Sequence, residues 1–137
     1  MGREAIILVA GMGTRLRPLT DTNHKCLTEV NGVPILLNAL KVLNNNKFSR
    51  VILVVGYLRE QIKEVIGDAY QNMKIEYAVN SIYSKTNTSY SLELGLEKIT
   101  GENEVYIFEG DVMFEEKLLE DLIQFPEENV TVLEKYS

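Results

Sequence analysis

The feature that most restricts the fold is a pair of uninterrupted apolar runs with a helix pattern between them. Ala5 to Val9 reads AIILV and Val51 to Val55 reads VILVV; Gly11 follows the first within two residues, Gly56 the second at once. A strand with one wet face alternates apolar and polar residues. A strand buried on both faces does not, and such strands belong to parallel sheets covered by helices on both sides. Between the runs, Leu36, Leu37, Leu40 and Leu43 in VPILLNALKVL fall on one helical stripe. Pro34 suits the first turn of that helix, and Asn44-Asn45-Asn46 stands at its end.

The alternation continues. Leu58, Ile62, Val65 and Ile66 predict a second helix, and KIEYAV, Lys74 to Val79, a third strand. Leu92, Leu96 and Ile99 predict a third helix that begins near TNTS, followed by a fourth strand in VYIF, Val105 to Phe108. Leu118, Leu119, Leu122 and Ile123 predict a fourth helix, and VTVL, Val130 to Leu133, a fifth strand. This order predicts an α/β fold, a Rossmann-like, mostly parallel sheet with helices on both faces. Ligands of such sheets sit outside the carboxyl ends of the strands. Candidate chemistry therefore falls at Gly11–Arg17, at Gly56-Tyr57, after Val79 and at Glu109–Asp111. Glycines and acids also end strands for purely structural reasons. Their gathering at all four strand ends favours a site.

The chain has 137 residues, the size of one domain. Its net charge of −6 argues against nucleic acid or an anionic membrane as partner, since basic surface dominates both kinds of binding. A small anionic substrate held by local cations is compatible with it. Cys26 is the single cysteine, so an internal disulfide is impossible. With no leader-like segment, this points to a reducing cytoplasm. No apolar run approaches the length of a membrane span.

Against this acidic background, Arg15, Arg17 and Lys25 cluster just after the first strand, in ILVAGMGTRLRPLTDTNHKCL. Gly11-Met12-Gly13 is not a dinucleotide fingerprint, because Leu16 stands where the third glycine belongs. It is not a Walker A loop, because no Gly-Lys-Ser/Thr follows. What remains is a glycine turn whose exposed N–H groups could hold a phosphate or a base edge, or a plain strand-ending turn. Guanidinium forks suit phosphate oxygens, and Lys25 adds a compact ammonium.

LVAGMGTRLRPLT followed by HKCL closely resembles the signature of the sugar-phosphate nucleotidyltransferase superfamily. That pattern is Leu-x-Ala-Gly-x-Gly-x-Arg-Leu-x-Pro-Leu-Thr, then Pro-Lys-Pro-Leu. Leu8, Ala10, Gly11, Gly13, Arg15, Leu16, Pro18, Leu19, Thr20, Lys25 and Leu27 match it. VNGVPIL from Val30, VVGY from Val54 and EGDVMF from Glu109 continue the likeness along the chain.

The resemblance implies a nucleotide site made by Leu8, Ala10, Gly11, Met12, Gly13, Thr14 and Gly110, with Arg15 and Lys25 stabilising phosphate charge during transfer. It implies Mg²⁺ on Asp111, a hard cation on a hard oxygen ligand; the competing role for Asp111 is a helix N-cap. Two residues depart from the pattern. His24 and Cys26 replace the prolines that flank the lysine, which changes position rather than chemistry. Cys26 reads as a small semi-buried residue and His24 as a loop residue.

In NSIYSKTNTSYSLELGL the Gly-Thr-Ala turn usual in sugar nucleotidyltransferases is missing. The segment looks like that of the bacterial phosphocholine cytidylyltransferases, with an asparagine before Tyr-Ser-Leu. Asn87 and Ser91 are then candidates for the pyrimidine edge or ribose. Tyr83 and Tyr90 are candidates for stacking on a base or facing a quaternary ammonium. Helix capping and ordinary packing would explain the same residues. The implied reaction is transfer of a nucleoside monophosphate, CMP from CTP by this likeness, to a small phosphomonoester such as phosphocholine, with release of pyrophosphate. The implied partners are a nucleoside triphosphate and that ester. Family members are longer, so residues 1–137 read as the N-terminal, nucleotide-binding portion of one nucleotidyltransferase domain. An uncovered sheet edge would favour a homo-oligomer.

Overall fold

The computed structural model describes residues 2–10, 27, 29–30, 32–86, 88–99, 101, 103–109 and 123. Its elements run β1 (Arg3–Val9), β2 (Glu29–Val30), β3 (Val33–Pro34), α1 (Ile35–Asn45), β4 (Phe48–Val55), α2 (Arg59–Ile66), β5 (Ala69–Tyr70), β6 (Met73–Val79), a 3₁₀ turn at Tyr83–Lys85, α3 (Thr88–Leu96) and β7 (Glu104–Glu109). The main sheet has the order β5-β6-β4-β1-β7. β6, β4, β1 and β7 are all parallel, as the unbroken apolar runs require. Only β5 is antiparallel, a two-residue strand turning back on β6 through Ala69↔Lys74 and Tyr70↔Met73. The predicted α/β class is the observed one.

The two faces of the sheet carry separate cores. Ala5, Ile7, Val9, Val51, Leu53, Val55 and Ile75 pack against Leu36, Leu40 and Leu43 of α1 and Ile62 and Ile66 of α2. Ile6, Ile52, Val54 and Ala78 form the other core, with Leu8, Leu92, Leu94, Ile99, Val105 and Ile107 against it. Successive strand residues therefore serve opposite faces, and neither face is left for polar residues at the strand centres.

The helix boundaries and buried stripes differ from the sequence expectation at four positions. Leu58 is not on the buried stripe of α2; it precedes the helix with a left-handed backbone, φ 54°. Val65 is 47% exposed and Leu96 44% exposed, so Ile62 and Ile66 anchor α2 and Leu92 anchors α3. Pro34 caps α1 from β3 rather than lying within its first turn. β2 and β3 form a hairpin with Val30 opposite Val33, and Gly32 in the two-residue turn has φ +81°. An Asn-Gly pair between apolar residues is a strong hairpin signal, and it stands just ahead of the helix pattern. The predicted fourth helix and fifth strand lie outside the described residues, apart from Ile123, which is helical and packs on the α1/α2 core. Among the described residues no helix is long and apolar enough to cross a membrane.

α3 sits close to the sheet because Gly95 has no side chain. A Cβ there would lie 2.8 Å from Ile6 Cγ2 and 3.0 Å from Val54 Cγ2, both on fully buried residues. Gly95→Ala gains about 1 kcal/mol of helix propensity but overpacks this contact at a cost of about 1–3 kcal/mol. The expected result is a lowered urea midpoint; an unchanged or raised midpoint would show that α3 is not seated by this glycine.

At the amino ends of the strands, a charged network crosses the α3 face. A register shift between Arg3 and Glu4 leaves Ser49 as the extra residue and brings Arg50 opposite Glu4. Arg50 Nη1 meets Glu4 Oε1 at 2.7 Å, its Nε and Nη2 both reach Glu76 Oε2, and Nη2 donates to the Lys98 carbonyl at 2.7 Å. Glu4, only 3% exposed, also accepts from Asn103 Nδ2 at 3.3 Å. Lys74 Nζ lies 3.3 Å from the second Glu76 oxygen. Burial opposes charge on both Arg50 and Glu76. Their mutual bonds outweigh it, so the arginine is held above its ordinary value and the glutamate below.

Candidate functional site

Because the four long strands are parallel, their carboxyl ends share one edge of the sheet. Two backbone bonds stitch three of those ends together. Tyr57 N–H donates to the Ala10 carbonyl at 3.2 Å, joining the β4 end to the β1 end. Asn80 N–H donates to the Val55 carbonyl at 2.7 Å, joining the β6 end to the β4 end. On the other side of β1, Leu8 pairs with Glu109, the last residue of β7. Leu8 packs on the α3 core, and Ala10 is buried.

The segment from β6 to α3 is organised by Asn80, which is 1% exposed. Its Oδ1 accepts from Ile82 N–H at 3.0 Å, an Asx-type turn. A backbone N–H can only donate, so this bond fixes which end of the amide is oxygen. Nδ2 then donates to Thr86 Oγ1 and to Ser91 Oγ, each at 3.0 Å. The Thr86 hydroxyl donates to the Ile82 carbonyl at 3.0 Å. Ser91 itself is buried in the first half of α3. One side chain thus ties the strand end, the turn and the helix together.

Gly56 makes room for this arrangement. A Cβ at position 56 would stand 2.9 Å from the Asn80 carbonyl oxygen and 2.9 Å from Tyr83 Cβ and Cδ1. Above it, the Tyr57 and Tyr83 rings meet edge to face with centroids 6.0 Å apart. Tyr90, next to Ser91 on α3, is half-buried.

Of the residues singled out from sequence, the structure therefore brings Ala10, Tyr83 and Ser91 into one bonded assembly with Gly56, Tyr57 and Asn80. It sets Leu8 beneath α3 and Tyr90 beside Ser91. Gly11, Met12, Gly13, Thr14, Arg15, Lys25, Asn87, Gly110 and Asp111 lie outside the described residues, as do His24 and Cys26. The chain nevertheless enters the glycine segment from Ala10 and the Gly110-Asp111 segment from Glu109. Both departures are from the carboxyl edge. The sequence marks Gly56 and the end of β6 as candidate positions but assigns Asn80 no role. The available signal was an asparagine directly after an apolar strand, a residue type that bonds backbone two positions on.

The displaced titrations among the described residues lie elsewhere. Burial, aided by Asp68, pushes the Tyr77 phenol up to about 12; its hydroxyl donates to the Gly67 carbonyl at 2.7 Å. Burial, then Glu104, raises Tyr106. These mark the framework rather than the carboxyl edge. Among the described residues no group of three or more His, Cys, Asp or Glu is placed to hold a metal ion.

Comparison with known proteins places this edge in context. The nucleotidyl transferase family profile matches residues 4–134. A CMP-5'-(3-aminopropyl)phosphonate synthase from Streptomyces rubellomurinus is 42% identical over 124 residues, 90% of this chain and 19% of that one. A choline-phosphate cytidylyltransferase from Streptococcus pneumoniae is 35% identical over 111 residues, 79% of this chain and 44% of that one. The solved structure of the inositol-1-phosphate CTP transferase of T. maritima superposes with a TM-score of 0.74 at 25% identity, over 88% of this chain and 48% of that one. A UTP–glucose-1-phosphate uridylyltransferase is also among the relatives. The chain spans less than half the length of each of the three proteins compared in detail. A profile that covers nearly all of the chain, on a sheet whose parallel ends converge at one edge, shows that the chain belongs to the nucleotidyl transferase family.

Proposed function

We propose that this chain supplies the nucleotide-binding half of a cytidylyltransferase. It would bind CTP at the carboxyl edge and pass CMP to a small phosphorus acid, releasing pyrophosphate. The observation that carries this reading is the stitched edge itself. The β1, β4 and β6 ends stand side by side, and β1 leads into Gly11-Met12-Gly13-Thr14-Arg15. CTP is favoured over UTP or dTTP because three of the four relatives named above carry CMP, cytidylyl or CTP chemistry in their names, against one uridylyltransferase. Two of those names carry an amine or choline on the acceptor, which supports phosphocholine or a similar amine-bearing ester or phosphonate.

In this reading the glycine segment and Gly110 lie against the nucleotide phosphates. Leu8 and Ala10 line the floor, and Asn87 and Ser91 face the pyrimidine or ribose. Tyr83 and Tyr90 serve as aromatic walls for the base or for a cationic acceptor, where a ring face attracts an ammonium. Arg15 and Lys25 hold the triphosphate and neutralise charge as an acceptor oxygen attacks the α-phosphorus. No side-chain nucleophile is needed, because the difficulty is repulsion between two polyanions and their alignment. Mg²⁺ would be held by Asp111. Asp111, two residues past the end of β7, offers one hard carboxylate, and this ion commonly takes one or two carboxylates with substrate phosphate oxygens for the rest. When bound, it supplies charge neutralisation at those oxygens.

Pyrophosphate release tests the reading, with CTP and phosphocholine set against UTP or dTTP and glucose-1-phosphate. Release with the first pair supports it. Release with the second supports a sugar-1-phosphate nucleotidyltransferase, a reading favoured by the uridylyltransferase relative and weakened by the missing Gly-Thr-Ala before α3. CTP binding with no turnover would identify a nucleotide-binding module that needs the remainder of a longer protein. EDTA is expected to reduce release to background and added Mg²⁺ to restore it; turnover that persists in EDTA would remove the metal from the proposal.

A further inference from the structure

We infer that Asn80 is a positioning residue for nucleobase choice, acting through the polarity it imposes on the Ser91 hydroxyl. The inference rests on the proposed nucleotide site and deepens it. Asn80 cannot itself read a ligand. It is 1% exposed, its oxygen is held by Ile82 N–H, and both amide protons go to Thr86 and Ser91. Because the amide end facing Ser91 is a donor, Ser91 Oγ must accept there. A hydroxyl that accepts still has one proton to give, and that proton has to point away from Asn80. Among the described residues the Ser91 hydroxyl donates no hydrogen bond, whereas the Thr86 hydroxyl donates to the Ile82 carbonyl. Among those residues Ser91 is the open end of the network.

The direction of that proton matters for a pyrimidine. The middle atom of the cytosine pairing edge, N3, is an acceptor; in uracil it is an N–H donor. A serine locked as a donor favours the first and leaves the second with two donors face to face. An aspartate at position 80 would reverse the network. Its carboxylate could still accept from Ile82 N–H, but it would draw the Ser91 proton inward and turn the serine lone pairs outward. Gly56 supports the same geometry from below, since any Cβ there would press on the Asn80 carbonyl and on Tyr83 at 2.9 Å.

The experiment measures equilibrium binding of CTP and UTP to the wild-type chain, Asn80→Asp and Ser91→Ala, with thermal melting as the folding check. Wild type is expected to prefer CTP. Asn80→Asp should weaken CTP by about tenfold, the effect of one neutral hydrogen bond, while UTP is unchanged or tighter. Ser91→Ala should remove most of the preference without depending on the charge introduced at position 80, and it decides the matter if Asn80→Asp fails to fold. Equal losses for both nucleotides in Asn80→Asp, or a preference untouched in Ser91→Ala, would overturn the inference while leaving the cytidylyltransferase reading intact. A folded wild-type chain that binds neither nucleotide, or prefers UTP, would overturn that reading and this inference with it.

Discussion

Lys25→Ala is expected to lower nucleotidyl transfer by about 10²–10³-fold while the protein still folds. Attack on the α-phosphorus gathers negative charge from two polyanions at one centre. A fixed cation aimed at that charge acts in the transition state more than in the ground state, and removal of one such group typically costs about 3–4 kcal/mol. The loss should therefore appear mainly in kcat, with a smaller change in KM for the triphosphate. Arg15→Ala is expected to behave alike and to weaken triphosphate binding more, because a guanidinium fork engages two oxygens at once. Lys25→Arg should recover part of the rate, since it keeps the charge but alters its shape. The measurement is steady-state pyrophosphate release by the enzyme that carries the residue, beside a melting curve for each variant. Near-normal turnover in a folded Lys25→Ala protein would remove this lysine from the chemistry.

The largest stability effect belongs to Arg50. Among the described residues, Arg50→Ala leaves the buried Glu4 carboxylate with only Asn103, and leaves Glu76 with only Lys74. Breaking one side of a buried pair costs about 3–5 kcal/mol, because the abandoned charge stays in a poor solvent. The arginine side chain is 19% exposed, so screening favours the lower end of that range. Even about 3 kcal/mol is a large share of the 5–15 kcal/mol that typically holds a domain together. Adding Glu4→Gln to Arg50→Ala should restore part of the loss, because it removes the unpaired charge. A Glu4→Gln single variant should itself be destabilised.

The same network gives a pH dependence. Burial raises Glu76 and its bonds to Arg50 and Lys74 lower it, with the lowering dominant. A carboxylate whose folded value lies below its unfolded value stabilises the fold above the unfolded value. That contribution is lost as the pH falls through the folded one. Wild type should therefore lose stability on acidification below the ordinary glutamate range, and Arg50→Ala should lose less over the same interval. Urea midpoints at neutral and acidic pH measure the difference; parallel slopes for the two proteins would contradict this account.

Arg50 also illustrates where sequence reading stops. In SRVILVV it stands at the head of an apolar run and looks like a solvated flank. Only the extra residue at Ser49 and the parallel register put it across from Glu4. Nothing local in either segment announces that meeting. Gly95 is similar. A glycine near the end of a helical pattern suggests a stop, yet its contacts with Ile6 and Val54 make it a packing surface. Leu58, Val65 and Leu96 fit a helical period but fall outside the buried contacts, because the period gives a stripe and not the width of the groove that receives it. The described strand ends are legible in the opposite way. Glycine and tyrosine mark Gly56, Tyr57 and Tyr83 in the sequence, while their contacts with one another and with Asn80 are not local.

What the sequence by itself determined is local. Unbroken apolar runs set the strands, the leucine stripe set α1, and glycine or asparagine set where strands stop, because periodicity and backbone preference act within a few residues. Lateral order is different. β1 lies between β4 and β7, and β4 between β1 and β6, and each of those pairings joins segments far apart in the chain. Apolar strands of similar length could pair in several orders with similar burial. The order observed sets β6, β4 and β1 side by side, so that Ala10, Gly56 and Asn80 are neighbours on the edge that parallel strands share. The tertiary structure decided that those three ends meet, and that a buried asparagine holds the polarity of the serine beside them.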